Sequence, residues 1–139
     1  MNVLMKHEIP NNLINLIHDM YTNNCARIKV EGKLTKTVPV KKGIRQGDSL
    51  SSLLFNIIIN EIMEEIKTLK GYSIGDENIS CLCYVDDAAR IAEDENSLQR
   101  LLYHFSRSAQ RFGLTLSTKK TKSLTISKAP LRCKLLYPV

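Results

Sequence analysis

The stretch SLSSLLFNIIINEIMEEIKTLKG, positions 49–71, constrains the fold more than any other part of the chain. Leu50, Leu54, Ile57, Ile58, Ile62, Ile66 and Leu69 recur at the three-and-four spacing of a helix with one buried stripe. Asp48 stands where the first free N–H groups need an acceptor, and Gly71 supplies a stop. A helix over 49–70 would run roughly 33 Å at about 1.5 Å per residue, long enough to support a whole domain. The remaining elements must pack along it.

On its N-terminal side, residues 11–24 place Leu13, Leu16, Ile17 and Met20 on one helical face, with Pro10 at the start. Residues 25–40 alternate instead, Ala26, Ile28 and Val30 against Arg27, Lys29 and Glu31, around a turn at Glu31-Gly32-Lys33. This predicts a hairpin with a basic outer face. Beyond the long helix, short strands are expected at 72–74, 79–85 and 88–92, and a second amphipathic helix over 96–112. That helix would bury Leu98, Leu101, Leu102, Phe105, Ala109 and Phe112 and end at Gly113. Residues 114–116 and 124–126 read as a final pair of strands. The fold class is α+β, an antiparallel sheet with helices packed on one face.

Charge is unevenly placed. The 20 Lys and Arg residues against 14 acids give +6, which permits a polyanionic partner. From Asn96 onward there are basic residues and no acidic ones, and 27–46 carries seven basic residues against Glu31 alone. A composition of 43% apolar and 24% charged residues excludes a disordered chain. Cys25, Cys81, Cys83 and Cys133 form no C-x-x-C pair, and a C-x-C in a strand puts both thiols on one face instead of around a metal. They read as reduced thiols of an intracellular protein. His7, His18 and His104 are scattered and supply no ligand pair. No apolar run approaches the ~20 residues of a membrane span, so no membrane partner is expected.

Within CLCYVDDAARIA, positions 81–92, every residue of CLCYV is apolar or aromatic, which suggests a strand covered on both faces inside a sheet. Asp86 and Asp87 follow at the turn. Tight turns normally use Asn-Gly or Asp-Gly, and two adjacent carboxylates repel unless a cation neutralises them. Taken alone, a solvated surface turn and a metal site are both open readings.

Three motifs in order narrow the choice. KGIRQGDSLSSLLFN at 42–56, YVDD at 84–87 and GLTLSTKKTK at 113–122 together resemble the palm of reverse transcriptases, RNA-directed DNA polymerases, particularly those of non-LTR retrotransposons. The resemblance implies a partial polymerase palm over 1–127 followed by a tail over 128–139. It makes Asp86 and Asp87 metal-binding catalytic carboxylates for two Mg²⁺ ions, places Tyr84 and Val85 by the primer end, and has Gln46 and Gly47 line the nucleotide pocket. Lys120 matches a lysine near the triphosphate, and Arg45, Arg27 and Lys29 would meet template or primer phosphates. The implied partners are an RNA template, a DNA primer and deoxynucleoside triphosphates.

Departures from the pattern qualify these roles. The family's third carboxylate, on an earlier strand, would precede residue 1, as would the fingers, and no thumb follows. Ser49 and Ser52 stand where prolines are usual, Ser117 where Asn is usual, and Arg90 where an apolar strand residue is usual. An inward Arg90 must find a partner or leave a buried charge unpaired. The expected function is therefore that of a piece of an RNA-directed DNA polymerase, its nucleotidyl transfer belonging to a longer parent and very weak or absent in this chain alone. The alternative is a non-catalytic remnant that binds nucleic acid or a partner chain through its basic surfaces. A missing strand would also leave a sheet edge bare and favour self-association.

Overall fold

The computed structural model describes residues 2–40, 43, 45, 47–84, 86–128 and 135–136. The chain divides into two compact units, Met1–Ile57 and Ile58–Val139.

In the first unit, α1 (Asn2–Lys6) packs on α2 (Asn11–Tyr21). Pro10 stands at the N-cap of α2, where its carbonyl accepts the N–H groups of Leu13 and Ile14. The buried side chain of α2 is Ile14, with Ile17 and Met20 half-buried, while Leu13 and Leu16 are exposed. The expected inner face is thus turned by one position, because α1 covers a stripe centred on Ile14.

The next segment forms β1 (Cys25–Ala26), β2 (Lys29–Val30), β3 (Lys33–Leu34) and β4 (Val38–Pro39). Strands β2 and β3 close around Glu31 and Gly32, both at positive φ, +50° and +80°. That is the dihedral pattern of a type I′ turn, whose twist matches the strands. The pairing Ala26↔Val38 and the pairing Lys29↔Leu34 differ in register by one residue. The second strand therefore bulges near Lys36 and Thr37, where Arg27 Nε donates to Thr37 Oγ1 at 2.9 Å. Helix α3 (Ser49–Ile66) starts at Asp48, whose Oδ1 accepts the Leu50 N–H at 3.0 Å, as the sequence predicts.

Helix α3 stops at Ile66, short of the expected Lys70. Asn78 explains the stop: its Nδ2 donates to the carbonyls of Lys67 and Leu69, and its Oδ1 accepts the Gly71 N–H at 2.8 Å. The carbonyls of the turn that follows the helix are thereby met by a side chain, while those of Met63 and Ile66 accept the N–H groups of Lys67 and Leu69. Asn78 lies on β6 (Glu77–Ile79), which pairs with β5 (Tyr72–Ile74). Then come β7 (Cys81–Tyr84), β8 (Asp87–Arg90) and α4 (Glu95–Arg111). Asp94 caps α4, accepting the Ser97 hydroxyl at 2.7 Å and the Ser97 N–H at 2.9 Å, and these hydrogen bonds, the hydroxyl's first, hold its carboxyl below the usual range. The core of this unit is Ile62 and Ile66 of α3 against Phe105 and Ala109 of α4, with Cys81, Phe112, Leu114 and Leu116 packed around it.

The architecture is α+β with antiparallel pairing throughout, and the strands pair two by two. Two sequence expectations fail here. Residues 114–116 and 124–126 form no strands; Leu114 and Leu116 still anchor the extended chain on the core, whereas Leu124 and Ile126 are 86% and 93% exposed. Alternation cannot supply the partner strand that pairing needs.

Candidate functional site

Strands β7 and β8 pair as Cys81↔Arg90, Leu82↔Ala89, Cys83↔Ala88 and Tyr84↔Asp87, and the Ser80 carbonyl extends the ladder by accepting the Ile91 N–H. This register leaves Asp86 in the turn and Asp87 on the first paired rung. The two carboxylates therefore stand side by side at the hairpin tip, and both are exposed. The loops of the other two-residue turns contain Gly32 and Gly75 at positive φ. The third has no glycine, so turn chemistry does not account for its sequence.

Directly paired residues share a face of an antiparallel ladder. Leu82, Tyr84, Asp87 and Ala89 form one face and are all exposed, Tyr84 by 81%. The expectation that CLCYV is covered on both faces is thereby corrected. Continuous apolarity cannot distinguish a doubly covered strand from one with a single face covered by helices. Of the residues expected at the site, Val85 and Gln46 lie outside the described residues.

On the opposite face, Cys81, Ala88 and Arg90 are half-buried toward α3 and α4, while Cys83 is exposed. Cys83 Sγ is 3.8 Å from Met63 Sδ, and Cys81 belongs to the core margin. Arg90 does point inward. Its Nη1 donates to the Ala88 carbonyl at 2.7 Å, and its guanidinium carbon lies 3.3 Å from the centre of the Phe105 ring. Its Nε and Nη2 are buried without a hydrogen-bond partner, a cost only partly offset by the ring's negative face. Burial lowers the Arg90 pKa, yet a guanidinium stays charged. Burial also pushes the Cys81 thiol up from 9.0 to about 11, against the opposing pull of Arg90. Cys81 is therefore a neutral packing thiol, and Cys81, Cys83 and Cys25 are free; Cys133 lies outside the described residues.

The remaining site residues come from two regions. In the first unit, Arg27 and Lys29 are exposed on the hairpin. Gly47 adopts φ +86° with nothing within 4 Å of where a Cβ would sit. The Arg45 carbonyl accepts the Asp48 N–H at 3.3 Å, closing a turn around Gly47. The Arg45 guanidinium is turned onto the end of α2, donating to the Met20 carbonyl and Asn24 Oδ1 and lying 5.5 Å from the Tyr21 ring centre. In the second unit, the Ser117 carbonyl accepts the N–H groups of Lys120 and Thr121, a turn that leaves Lys119 and Lys120 exposed. Tyr21 was not singled out by sequence reasoning; one aromatic residue in a last helical turn carries no signal of what it will touch.

In donor chemistry, Asp86 and Asp87 suit a hard divalent cation, which takes oxygen ligands. In number they fill only part of an octahedral shell. Among the described residues no group of three or more His, Cys, Asp or Glu side chains gathers where a metal could be held. Nor is any described helix long and apolar enough to cross a membrane.

Comparison with known proteins accounts for the three motifs. The model of the family described as reverse transcriptase (RNA-dependent DNA polymerase) matches residues 1–136. The Pol polyprotein of type-1 retrotransposable element R2 from Nasonia vitripennis is 29% identical over 126 residues, 91% of this chain and 12% of that protein. Its counterpart from Popillia japonica is 27% identical over 116 residues, 81% of this chain and 16% of that protein. The Pol polyprotein of type-2 element R2DM from Drosophila melanogaster is 23% identical over 129 residues, 93% of this chain and 12% of that protein. The chain thus spans 12–16% of the length of these curated relatives, whose R2 elements accord with the expected non-LTR type. Enzymes of this kind are polymerases that generally use divalent metals, a nucleic-acid template and nucleotide substrates. With the motifs in order and the match extending over 1–136 of its 139 residues, the chain belongs to the reverse transcriptase (RNA-dependent DNA polymerase) family.

Proposed function

We propose that this chain acts as palm sequence of an RNA-directed DNA polymerase, with Asp86 and Asp87 as two of the carboxylates of its nucleotidyl-transfer site. The observation that carries this reading is the β7–β8 register, which sets both carboxylates at an exposed tip beside the open Leu82–Tyr84–Asp87–Ala89 face. A primer end and an incoming deoxynucleoside triphosphate need such an open approach. Two Mg²⁺ ions, when bound, would supply charge stabilisation of the attacking and leaving oxygens. Asp86 and Asp87 would hold them, with further oxygen ligands from other groups.

The other roles follow from chemistry. Tyr84 lies beside the tip and, with Val85, would border the primer end. Gly47 lets a substrate approach backbone that any side chain would block, next to Gln46. Lys120 is an exposed cation suited to a departing pyrophosphate, as charge neutraliser or proton donor. Arg27, Lys29 and Arg45 would meet template and primer phosphates. The exposed apolar residues Leu82, Leu124 and Ile126 support self-association of the isolated chain, measurable as concentration-dependent elution on size exclusion.

The deciding experiment is Mn²⁺ titration of the whole chain followed by nuclear relaxation, together with primer extension on an RNA template. The reading expects Mn²⁺ binding that Asp86→Asn with Asp87→Asn abolishes, and extension by the chain alone that is very weak or absent, any that is measured being lost in the same variant. Salt-dependent nucleic-acid binding with no Mn²⁺ site at these carboxylates would instead establish the non-catalytic alternative.

A further inference from the structure

A turn centred on a glycine has no side chain of its own to fix it in place. Gly47, at φ +86° with open space around it, is such a case, and whatever sets its position must act on its neighbours. The flanking residues of the 45–48 turn are both held by one side chain. On one flank, the Tyr21 ring lies 5.5 Å beneath the Arg45 guanidinium, whose Nη2 donates to the Met20 carbonyl and to Asn24 Oδ1. On the other, the Tyr21 hydroxyl donates to Asp48 Oδ2 at 3.4 Å and shares a hydrogen bond of 3.0 Å with Ser51 Oγ. Ser51 is buried and Tyr21 half-buried, so these polar contacts are partly shielded from water and worth more than surface ones.

We propose that Tyr21 is the positioning residue of the 45–48 turn, its ring holding Arg45 and its hydroxyl holding Asp48, so that Gly47 is presented open at a set place. The geometry divides the work between two parts of one side chain. The ring face satisfies a cation without a formal counter-charge. The hydroxyl reaches the residue that also caps α3, since Asp48 Oδ1 accepts the Leu50 N–H. Tyr21 in this way ties the end of α2 to the start of α3 across the glycine turn. The functional consequence rests on the reading of Gly47 as part of the nucleotide pocket. A clamped turn would present its backbone to the nucleotide without an ordering cost at binding.

Two measurements on the whole chain test this, and they can fail separately. The first is amide hydrogen exchange. The Asp48 N–H is protected by the Arg45 carbonyl and the Leu50 N–H by Asp48 Oδ1. Tyr21→Phe keeps the ring and removes the hydroxyl, and is expected to speed exchange at Asp48 and Leu50 about fivefold, the worth of one ordinary hydrogen bond. The α2 amides of Ile14 and Ile17 should keep their rates. Tyr21→Leu removes the ring as well and should speed the turn further. Unchanged exchange at Asp48 and Leu50 in Tyr21→Phe, or an equal rise at Ile14 and Ile17, would overturn the proposal, the latter by showing general loosening.

The second measurement is primer extension with varied deoxynucleoside triphosphate. Tyr21→Phe should raise the nucleotide KM about fivefold with kcat within about twofold and primer-template affinity unchanged. A fall in kcat alone would overturn the link between clamp and nucleotide. A wild-type chain that extends no primer bears on the polymerase reading alone, and the exchange result still decides whether Tyr21 sets the turn.

Discussion

Gly71→Ala puts a single methyl group where the backbone of β6 already runs. A Cβ at Gly71 would lie 2.3 Å from the Ile79 oxygen, 2.6 Å from the Ile79 carbonyl carbon and 2.6 Å from Ser80 Cα. All three are backbone atoms, so no side chain can swing aside. Ordinary contact begins near 3.4 Å, and the two strands must part by about an ångström, with a cost of about 1–3 kcal/mol for overpacking. Parting them also strains the clasp of Asn78 on Gly71 N–H and the Leu69 carbonyl, two hydrogen bonds worth about 0.5–1.5 kcal/mol each. Alanine recovers about 0.4–1 kcal/mol by restricting the unfolded chain. The net loss is about 2–4 kcal/mol, a large part of the 5–15 kcal/mol that holds a typical domain.

For a chain of this size that corresponds to a melting temperature lower by about 10 °C, read by circular dichroism. Gly75→Ala is the control: Gly75 has φ +60° but open space around it, so alanine there costs only the left-handed backbone, about 1–2 kcal/mol. Because Ser80 leads directly into β7, the same displacement should also reach the hairpin that carries Asp86 and Asp87. Amide shifts along Cys81–Tyr84 would report it in Gly71→Ala and not in Gly75→Ala. If Gly71→Ala melts at or above Gly75→Ala, the close approach of the two backbones is refuted.

Arg90→Met replaces a buried guanidinium with two unpartnered nitrogens by an apolar side chain of similar reach. Loss of the Ala88 hydrogen bond and of the stack on Phe105 should roughly cancel the relief of the orphaned donors, leaving stability within about 1 kcal/mol in urea unfolding; a loss above about 2 kcal/mol would show that Nε and Nη2 do have partners. Cys81, held near pKa 11 by burial, should react with iodoacetamide at pH 8 about 100-fold more slowly than the same thiol in the urea-unfolded chain. Its folded pKa exceeds its unfolded value of 9.0, so the stability it contributes is complete below about pH 9 and is lost as pH rises through about 11. An alkaline unfolding limb identical in wild type and Cys81→Ala would count against this.

What was legible in the sequence alone follows from short-range physics. Helical periodicity, caps and turn glycines act within a few residues, so the start of α3, α4, the Glu31-Gly32 turn, the cap at Asp48 and the stop at Gly113 stand where the pattern puts them. The family is legible for the same reason, since RQGD, YVDD and GLTLSTKKTK are local strings. Even so, YVDD specifies a turn without specifying that Asp86 occupies the loop and Asp87 the first rung; the register does that.

Tertiary structure alone decided which faces are covered. Ile14 instead of Leu13 is buried because α1 lies where it does, and α3 ends early because Asn78, on a later strand, takes the Lys67 and Leu69 carbonyls just past its end. Cys81 is half-buried while Leu82 and Tyr84 of the same strand are exposed, because helices pack on one side and no described residue covers the other, and Leu124 and Ile126 stay exposed because an alternating segment with no partner strand among the described residues is not a strand. Tyr21 at the Gly47 turn and Phe105 beneath Arg90 belong to the same class: each depends on residues brought together from distant positions in the chain. A side chain's chemistry is written in its own residue, whereas its partner, its burial and hence its cost or use depend on chain that arrives from elsewhere.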